Sequence, residues 1–283
     1  MAALGTNRAK YALPLKCMLG PDGGKHSHMK GIPREIVELV GTLAEASGTV
    51  AVVLGGSKAL GTADAGSDWD IGLYYRGQID LTALSARGTV YPPGTWGRIM
   101  NGGAWLHCGS ERVDVILRDL NQVEYWTQRA EQGEFEVDHL LGYLAGVPTY
   151  LLTAELASCR VVYGNLHAAP FPAKLASSAP SVWRFCRSFS LEYARMHARR
   201  GNRVGAAGQV AKAIMEEAHA RLCEQALWVC NEKRILNAAG LAQADSHFDE
   251  LPSDREALVQ WVDQVAHRLG VPEGELAPWN TGA

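Results

Sequence analysis

Residues 50–74, VAVVLGGSKALGTADAGSDWDIGLY, constrain the fold of this chain more than any other stretch. Val50 to Leu54 is an unbroken, β-branched apolar run ended by Gly55 and Gly56, the pattern of a short buried strand. The two glycines permit a sharp turn and a close backbone approach to a ligand, and Ser57 is placed to cap a helix over Lys58 to Ala63. A helix begun there presents unpaired N–H groups to any phosphate set against it. After a turn at Asp64 to Ser67, alternation over Asp68 to Tyr75 predicts a second strand. Its period of two sends Trp69, Ile71 and Leu73 to one face, and Asp68 and Asp70 to the other. Adjacent carboxylates cost stability through repulsion, but they suit chelation of Mg²⁺.

A later strand offers a third acid. In Glu111-Arg-Val-Asp-Val-Ile-Leu-Arg118, alternation puts Val113, Val115 and Leu117 on the buried side and Arg112, Asp114, Ile116 and Arg118 on the other. An Asp in mid-strand is costly unless it is paired or binds a metal. Asp114 is therefore a candidate ligand, with an ion pair to Arg112 or Arg118 as the structural alternative.

The rest of the chain divides around this sheet. Residues 1–28 lack a sustained period and read as a disordered extension; 29–148 form the sheet-bearing domain, opened by an amphipathic helix over Pro33 to Ala46. Leu81 to Arg87 reads as a short helix, and Arg98 to Cys108 as a hairpin or bulged strand that brings Trp105 and His107 near the sheet. His107 is read as structural. The sheet is expected to end near Asp119, with helices over Leu120 to Ala130 and Glu134 to Ala145. Residues 149–283 read as a helical domain. His167 to Pro180 is its best linker candidate, Phe185, Phe189, Tyr193 and Met196 form a predicted core stripe, and long helices cover Val204 to Val229 and Asp254 to Leu269.

Six scattered cysteines without a C-x-x-C pair point to a reduced, cytoplasmic protein, and no apolar run is long enough to span a bilayer. The formal net charge of −3 gives no general attraction to nucleic acid; a cluster at Arg195, Arg199, Arg200 and Arg203 is the local exception.

Gly56-Ser57, a ten-residue gap and Asp68-Trp69-Asp70, followed by Asp114 on a later strand, resemble the nucleotidyltransferase superfamily that includes DNA polymerase β, the kanamycin and lincosamide nucleotidyltransferases and the CCA-adding enzymes. The resemblance is strongest over Thr49 to Asp119. It implies an α+β fold, a small mixed sheet with helices on one face followed by a helical domain. It also implies an enzyme that uses two Mg²⁺ ions to transfer a nucleoside monophosphate from a nucleoside triphosphate, ATP in the simplest case, to a hydroxyl, with loss of pyrophosphate. Asp68, Asp70 and Asp114 would be catalytic and metal-binding; Gly55, Gly56, Ser57, Lys58 and Lys233 would bind the nucleotide. Asp114, Glu136 and Asp138 are the candidate bases. The expected acceptor is a small hydroxylated molecule such as an antibiotic. tRNA or protein modification and a non-catalytic nucleotide-binding module are the competing readings, and the chain is expected as a monomer or homodimer, off the membrane.

Overall fold

The computed structural model describes residues 31–61, 66–140 and 142–271. The segment read as an N-terminal extension, residues 62–65, which end the predicted Lys58–Ala63 helix and begin the predicted turn, and residues 272–283 lie outside the described residues. Two compact units make up the chain. One comprises the described residues through Ala130 together with Pro148–Pro170; the other comprises Glu131–Val147 and the described residues from Phe171 onward. This differs from a single cut after residue 148, because the chain returns to the first unit before it enters the second for good.

The first unit is a six-stranded sheet with five helices. Its strands are β1 (Thr49–Gly55), β2 (Trp69–Tyr75), β3 (Gly88–Tyr91), β4 (Gly103–Cys108), β5 (Glu111–Asp119) and, after the two-residue ribbon of β6 (Val137–Asp138) and β7 (Val147–Pro148), β8 (Arg160–Tyr163). The order across the sheet is β3-β4-β5-β2-β1-β8; β2 and β5 run parallel and the other neighbours antiparallel. The sheet thus does not end at Asp119, since the short extended piece at Arg160–Tyr163 adds an edge strand beside β1. The helices are α1 (Arg34–Glu45), α2 (Gly56–Leu60), α3 (Gly97–Met100), α4 (Leu120–Glu131) and α5 (Leu151–Ser158).

One face of the sheet is closed by α1. Ile36, Leu39, Val40 and Leu43 recur at helical spacing and pack with Val52, Leu54, Trp69, Ile71, Leu73, Val113, Val115 and Leu117, all buried. Alternation in β2 and β5 is as the sequence predicts: every second side chain enters this core. Arg98–Cys108 resolves into α3 followed by β4, and Leu81–Arg87 into one 3-10 turn at Thr82–Leu84.

The second unit is helical: α6 (Ala173–Arg199), α7 (Arg203–Glu224), α8 (Ile235–Ala238) and α9 (Arg255–Arg268). Two sequence expectations fail here. The supposed linker at 167–180 is helical from Ala173 onward with Pro180 inside the helix, because its Ala and Ser residues are adequate helix formers once Pro172 has started the turn. The supposed core stripe lies outside: Phe185, Phe189 and Tyr193 are 70%, 43% and 42% exposed. The buried face of α6 instead carries Trp183, Arg187, Leu191, Ala194 and Ala198, facing a core to which α7 gives Ala206, Val210, Ala213, Ile214 and Ala218. Small residues let two helices approach closely, and a stripe at i, i+4 spacing does not by itself say which face is inside.

The described residues of 134–145 are not helical. They pass through β6 into turns, and the carboxylate of Glu232 accepts hydrogen bonds from the backbone N–H groups of Leu144 (2.6 Å) and Ala145 (2.9 Å). Among the described residues no helix is long and apolar enough to cross a membrane.

Candidate active site

The register of five strands aligns the predicted residues in one row. Gly55 of β1 lies opposite Asp70 of β2, Asp70 opposite Asp114 of β5, Asp114 opposite Trp105 of β4, and Trp105 opposite Thr89 of β3. Paired residues in neighbouring strands share a face about 4.8 Å apart. This is the face opposite α1, since Trp69, Ile71, Val113 and Val115 fill the α1 core. Asp70 and Asp114 therefore sit side by side and half-buried. Farther along that face Arg118 is buried, its guanidinium donating from Nε and Nη2 to the two carboxylate oxygens of Glu155 on α5, each at 2.6 Å.

Gly56 closes the row at the β1 end. Its φ is +62°, and a Cβ added there would stand 1.7 Å from Asp70 Oδ2. Only glycine fits, for backbone conformation and space alike. Gly55 is the residue that precedes α2, with Gly56 and Ser57 inside it; Ser57 accepts the Gly61 N–H through its carbonyl and gives no side-chain cap. The expected Ser57 cap is thereby overturned, and α2 stops at Gly61, which is left-handed at φ +68°, short of Ala63.

Lys58 is engaged elsewhere. Its ammonium donates to Glu111 Oε2 at 3.1 Å and lies 4.4 Å from the centre of the Trp69 ring; Trp69 Nε1 donates to the same carboxylate oxygen at 2.7 Å. Trp69 and Glu111 belong to the α1 side of their strands, so Lys58 braces the turn from the side opposite Asp70. The Lys58 hydrogen bond, joined by that from Trp69, holds the Glu111 carboxyl below its ordinary pKa. Lys58 is thus a structural cation in this arrangement, and sequence alone missed its partner because Glu111 is remote in the chain.

Asp68 precedes β2 by one residue and continues its register toward Arg112. Arg112 Nε stands 2.7 Å from Asp68 Oδ1 without the alignment of a hydrogen bond, and Arg112 Nη2 donates to the Gly66 carbonyl at 3.0 Å. Arg112 thus forms an ion pair with Asp68. Hard carboxylate oxygens on Asp70 and Asp114 fit a hard divalent cation. The three aspartates do not form a converged cage: among the described residues no group of three or more His, Cys, Asp and Glu side chains is arranged to hold a metal.

The other candidates lie in the second unit. Lys233 is exposed, with its backbone N–H donating to Asn231 Oδ1 at 3.0 Å, while its neighbour Glu232 clamps the 144–145 backbone. Glu136 is exposed and Asp138 half-buried, both on the β6 segment and not on a helix. The arginine cluster disperses: Arg195 pairs with Asp263, and Arg203 donates to the carbonyls of Leu251 and Pro252.

No family model matches the chain, and no curated protein matches it. Among solved structures, a nucleotidyltransferase-like protein from Exiguobacterium sibiricum 255-15 is similar in chain path, with 11% sequence identity and a TM-score of 0.44 over 86% of this chain and 76% of that one. The α+β architecture rests on the sheet order and register given above.

Proposed function

We propose that this chain is a Mg²⁺-dependent nucleotidyltransferase that moves a nucleoside monophosphate from a nucleoside triphosphate to a hydroxyl of a small molecule. The observation that carries the reading is the row Gly55, Asp70, Asp114, with Gly56 pressed against the Asp70 carboxylate. Carboxylate oxygens paired across neighbouring strands suit a shared hard divalent cation. Asp70 and Asp114 would hold Mg²⁺, and Asp68 would join them on release from Arg112. Bound Mg²⁺ would neutralise charge on the phosphoryl oxygens during displacement.

The chain's own groups then have distinct tasks. The Gly55-Gly56-Ser57 backbone, which carries no side chain of its own at Gly55 or Gly56, would seat the β- and γ-phosphates beside Asp70. The acceptor oxygen forms its bond to the α-phosphorus as the bond to the bridging oxygen breaks, and that electron pair leaves with pyrophosphate. Asp114 is the nearest carboxylate on the far side of Asp70, and would take the hydroxyl proton. Lys58 is no candidate for the leaving phosphates, because Glu111 and Trp69 already hold it.

Pyrophosphate release tests this directly. The full chain would be assayed with Mg²⁺, each nucleoside triphosphate, and a panel of aminoglycosides, lincosamides and bulk tRNA, with Asp70→Asn as control. Release that needs an acceptor and disappears in the control supports the reading. Nucleotide binding indifferent to Mg²⁺ and to Asp70→Asn would sink it.

A further inference from the structure

The row that carries the carboxylates does not end at Asp114. Its next member is Trp105, which is 53% exposed although it lies mid-strand. A single exposed tryptophan would need no explanation. This one belongs to a cluster: the Tyr91 ring lies 4.9 Å from Trp105 and 5.1 Å from Trp96, and Trp96 lies 5.7 Å from Trp105. Gly103, two residues before Trp105 on the same face, leaves room for it, since a Cβ there would come within 2.5 Å of the Trp96 ring. The three rings thus brace one another, and the outward surface of Trp105 faces solvent beside Asp114. On either side of Trp105 in its row stand a carboxylate, Asp114, and a hydroxyl, Thr89.

Accepting the proposed transfer reaction, the position of this cluster has a chemical meaning. In phosphoryl displacement the attacking and leaving oxygens lie roughly in line. With the leaving phosphates over Gly55 and Gly56 and the α-phosphorus over Asp70 and Asp114, the attacking hydroxyl comes from the β4 side. Gly55 and Trp105 are three strand spacings apart, about 14 Å, enough for the phosphates, the reacting centre and an acceptor ring. We propose that Trp105, braced by Tyr91 and Trp96, is the acceptor-binding surface. It takes the face of a saturated polyhydroxylated ring, a sugar or cyclitol, and directs one hydroxyl toward Asp114. The aromatic face matches the ring's C–H side, and the Asp114 and Thr89 oxygens match hydroxyls at its edge. Trp105 is a positioning and specificity residue in this arrangement; the proton goes to Asp114.

The test separates this proposal from the transfer reaction. Binding of kanamycin A, methyl α-glucoside and myo-inositol would be measured on the full chain by saturation-transfer NMR and titration, with EDTA present and no nucleotide. Wild type, Trp105→Ala, Trp105→Phe and Tyr125→Ala would be compared, Tyr125 being an equally exposed aromatic on α4. The expected result is binding of at least one ring probe, weakened about tenfold or more by Trp105→Ala. Trp105→Phe should keep it within about threefold, and Tyr125→Ala should leave it unchanged. A wild type that binds none of the probes, or a Trp105→Ala variant that binds them as wild type does, overturns the proposal. So does Trp105→Ala weakening Mg²⁺-ATP binding while ring binding stays intact, which would place the nucleobase on the tryptophan. None of these failures touches the dependence of pyrophosphate release on Asp70.

Discussion

Charge is placed near the interior in two regions of this molecule, by opposite rules. In the helical unit a deeply buried arginine and glutamate are paired. Arg187 Nη1 donates to Glu217 Oε2 at 2.8 Å, with both side chains nearly inaccessible, and Glu217 also accepts from Arg221 Nε at 2.9 Å. In the sheet unit two carboxylates stand next to each other across β2 and β5. The first arrangement compensates desolvation and serves the fold; the second sets two acidic groups where the proposed reaction would use them. The sheet also contains its own internal control. Arg118, four residues after Asp114 on the same strand face, is buried and bidentate with Glu155 of α5.

The sharpest break in the comparison is expected at Asp70. Asp70→Asn and Asp114→Asn should each lower acceptor-dependent pyrophosphate release by about a thousandfold or more, with the variants still folded. A variant that loses activity only by unfolding would put these residues in the structural class. Glu217→Gln should do the reverse, costing about 3–5 kcal/mol in denaturant unfolding by leaving Arg187 buried without its counter-charge. Nucleotide affinity per folded molecule should not change.

Gly56→Ala should combine the two behaviours. A methyl group at positive φ and 1.7 Å from Asp70 Oδ2 must displace the carboxylate, costing about 1–3 kcal/mol together with most of the Mg²⁺-dependent nucleotide affinity. Lys58→Met then sharpens the assignment of the turn. Stability should fall by about 1 kcal/mol through loss of the Glu111 hydrogen bond and the Trp69 contact, while nucleotide affinity holds within about twofold. A tenfold loss of affinity would return Lys58 to the phosphate site.

The smallest expected effect concerns pH. His219 is stacked on Trp183 with ring centres 4.4 Å apart, and it is fully buried; neither ring nitrogen has a hydrogen-bond partner among the described residues, the Glu232 carboxylate being 3.9 Å away. Burial lowers its pKa below 6.5. The unfolded chain then binds a proton near pH 6.5 that the folded chain refuses, so stability falls as pH drops through and below that value. Glu232, where its hydrogen bonds outweigh burial, loses stability in the same direction at lower pH, and Glu216, raised by burial, opposes both below its folded pKa. Across pH 7.5 to 5.5, a window set by the histidine reference pKa of about 6.5, the melting temperature of His219→Phe should fall less steeply than that of wild type.

Much of the candidate site was legible in sequence because strands have a period of two. Once Asp70 and Asp114 were seen in mid-strand among Val, Ile and Leu, their shared exposure away from the core followed. The row linking them did not, because a register between β2 and β5 is fixed by residues more than forty apart. The same limit hid Glu111 as the partner of Lys58, Arg112 as the neighbour of Asp68, and Trp105 as the neighbour of Asp114. Alternation in Gly103–Cys108 was the one available signal for Trp105, and it needed the strand to be recognised first. In the helical unit the failure was different: the aromatic repeat of α6 was real, but periodicity carries no sign, and the small residues that α7 offers decided which side went inside.

Local chemistry alone thus determined the strand, glycine turn and carboxylate strand at Val50–Tyr75, the alternation of β5 and the existence, though not the bounds, of the long helices. These depend on backbone propensity and on side-chain period, which act over a few residues. Tertiary structure alone decided which carboxylates stand side by side, that Lys58 is held on the opposite face, and that β8 returns to the sheet. Those outcomes depend on pairings between distant segments, where packing and charge compensation choose among faces and registers that the sequence leaves equivalent.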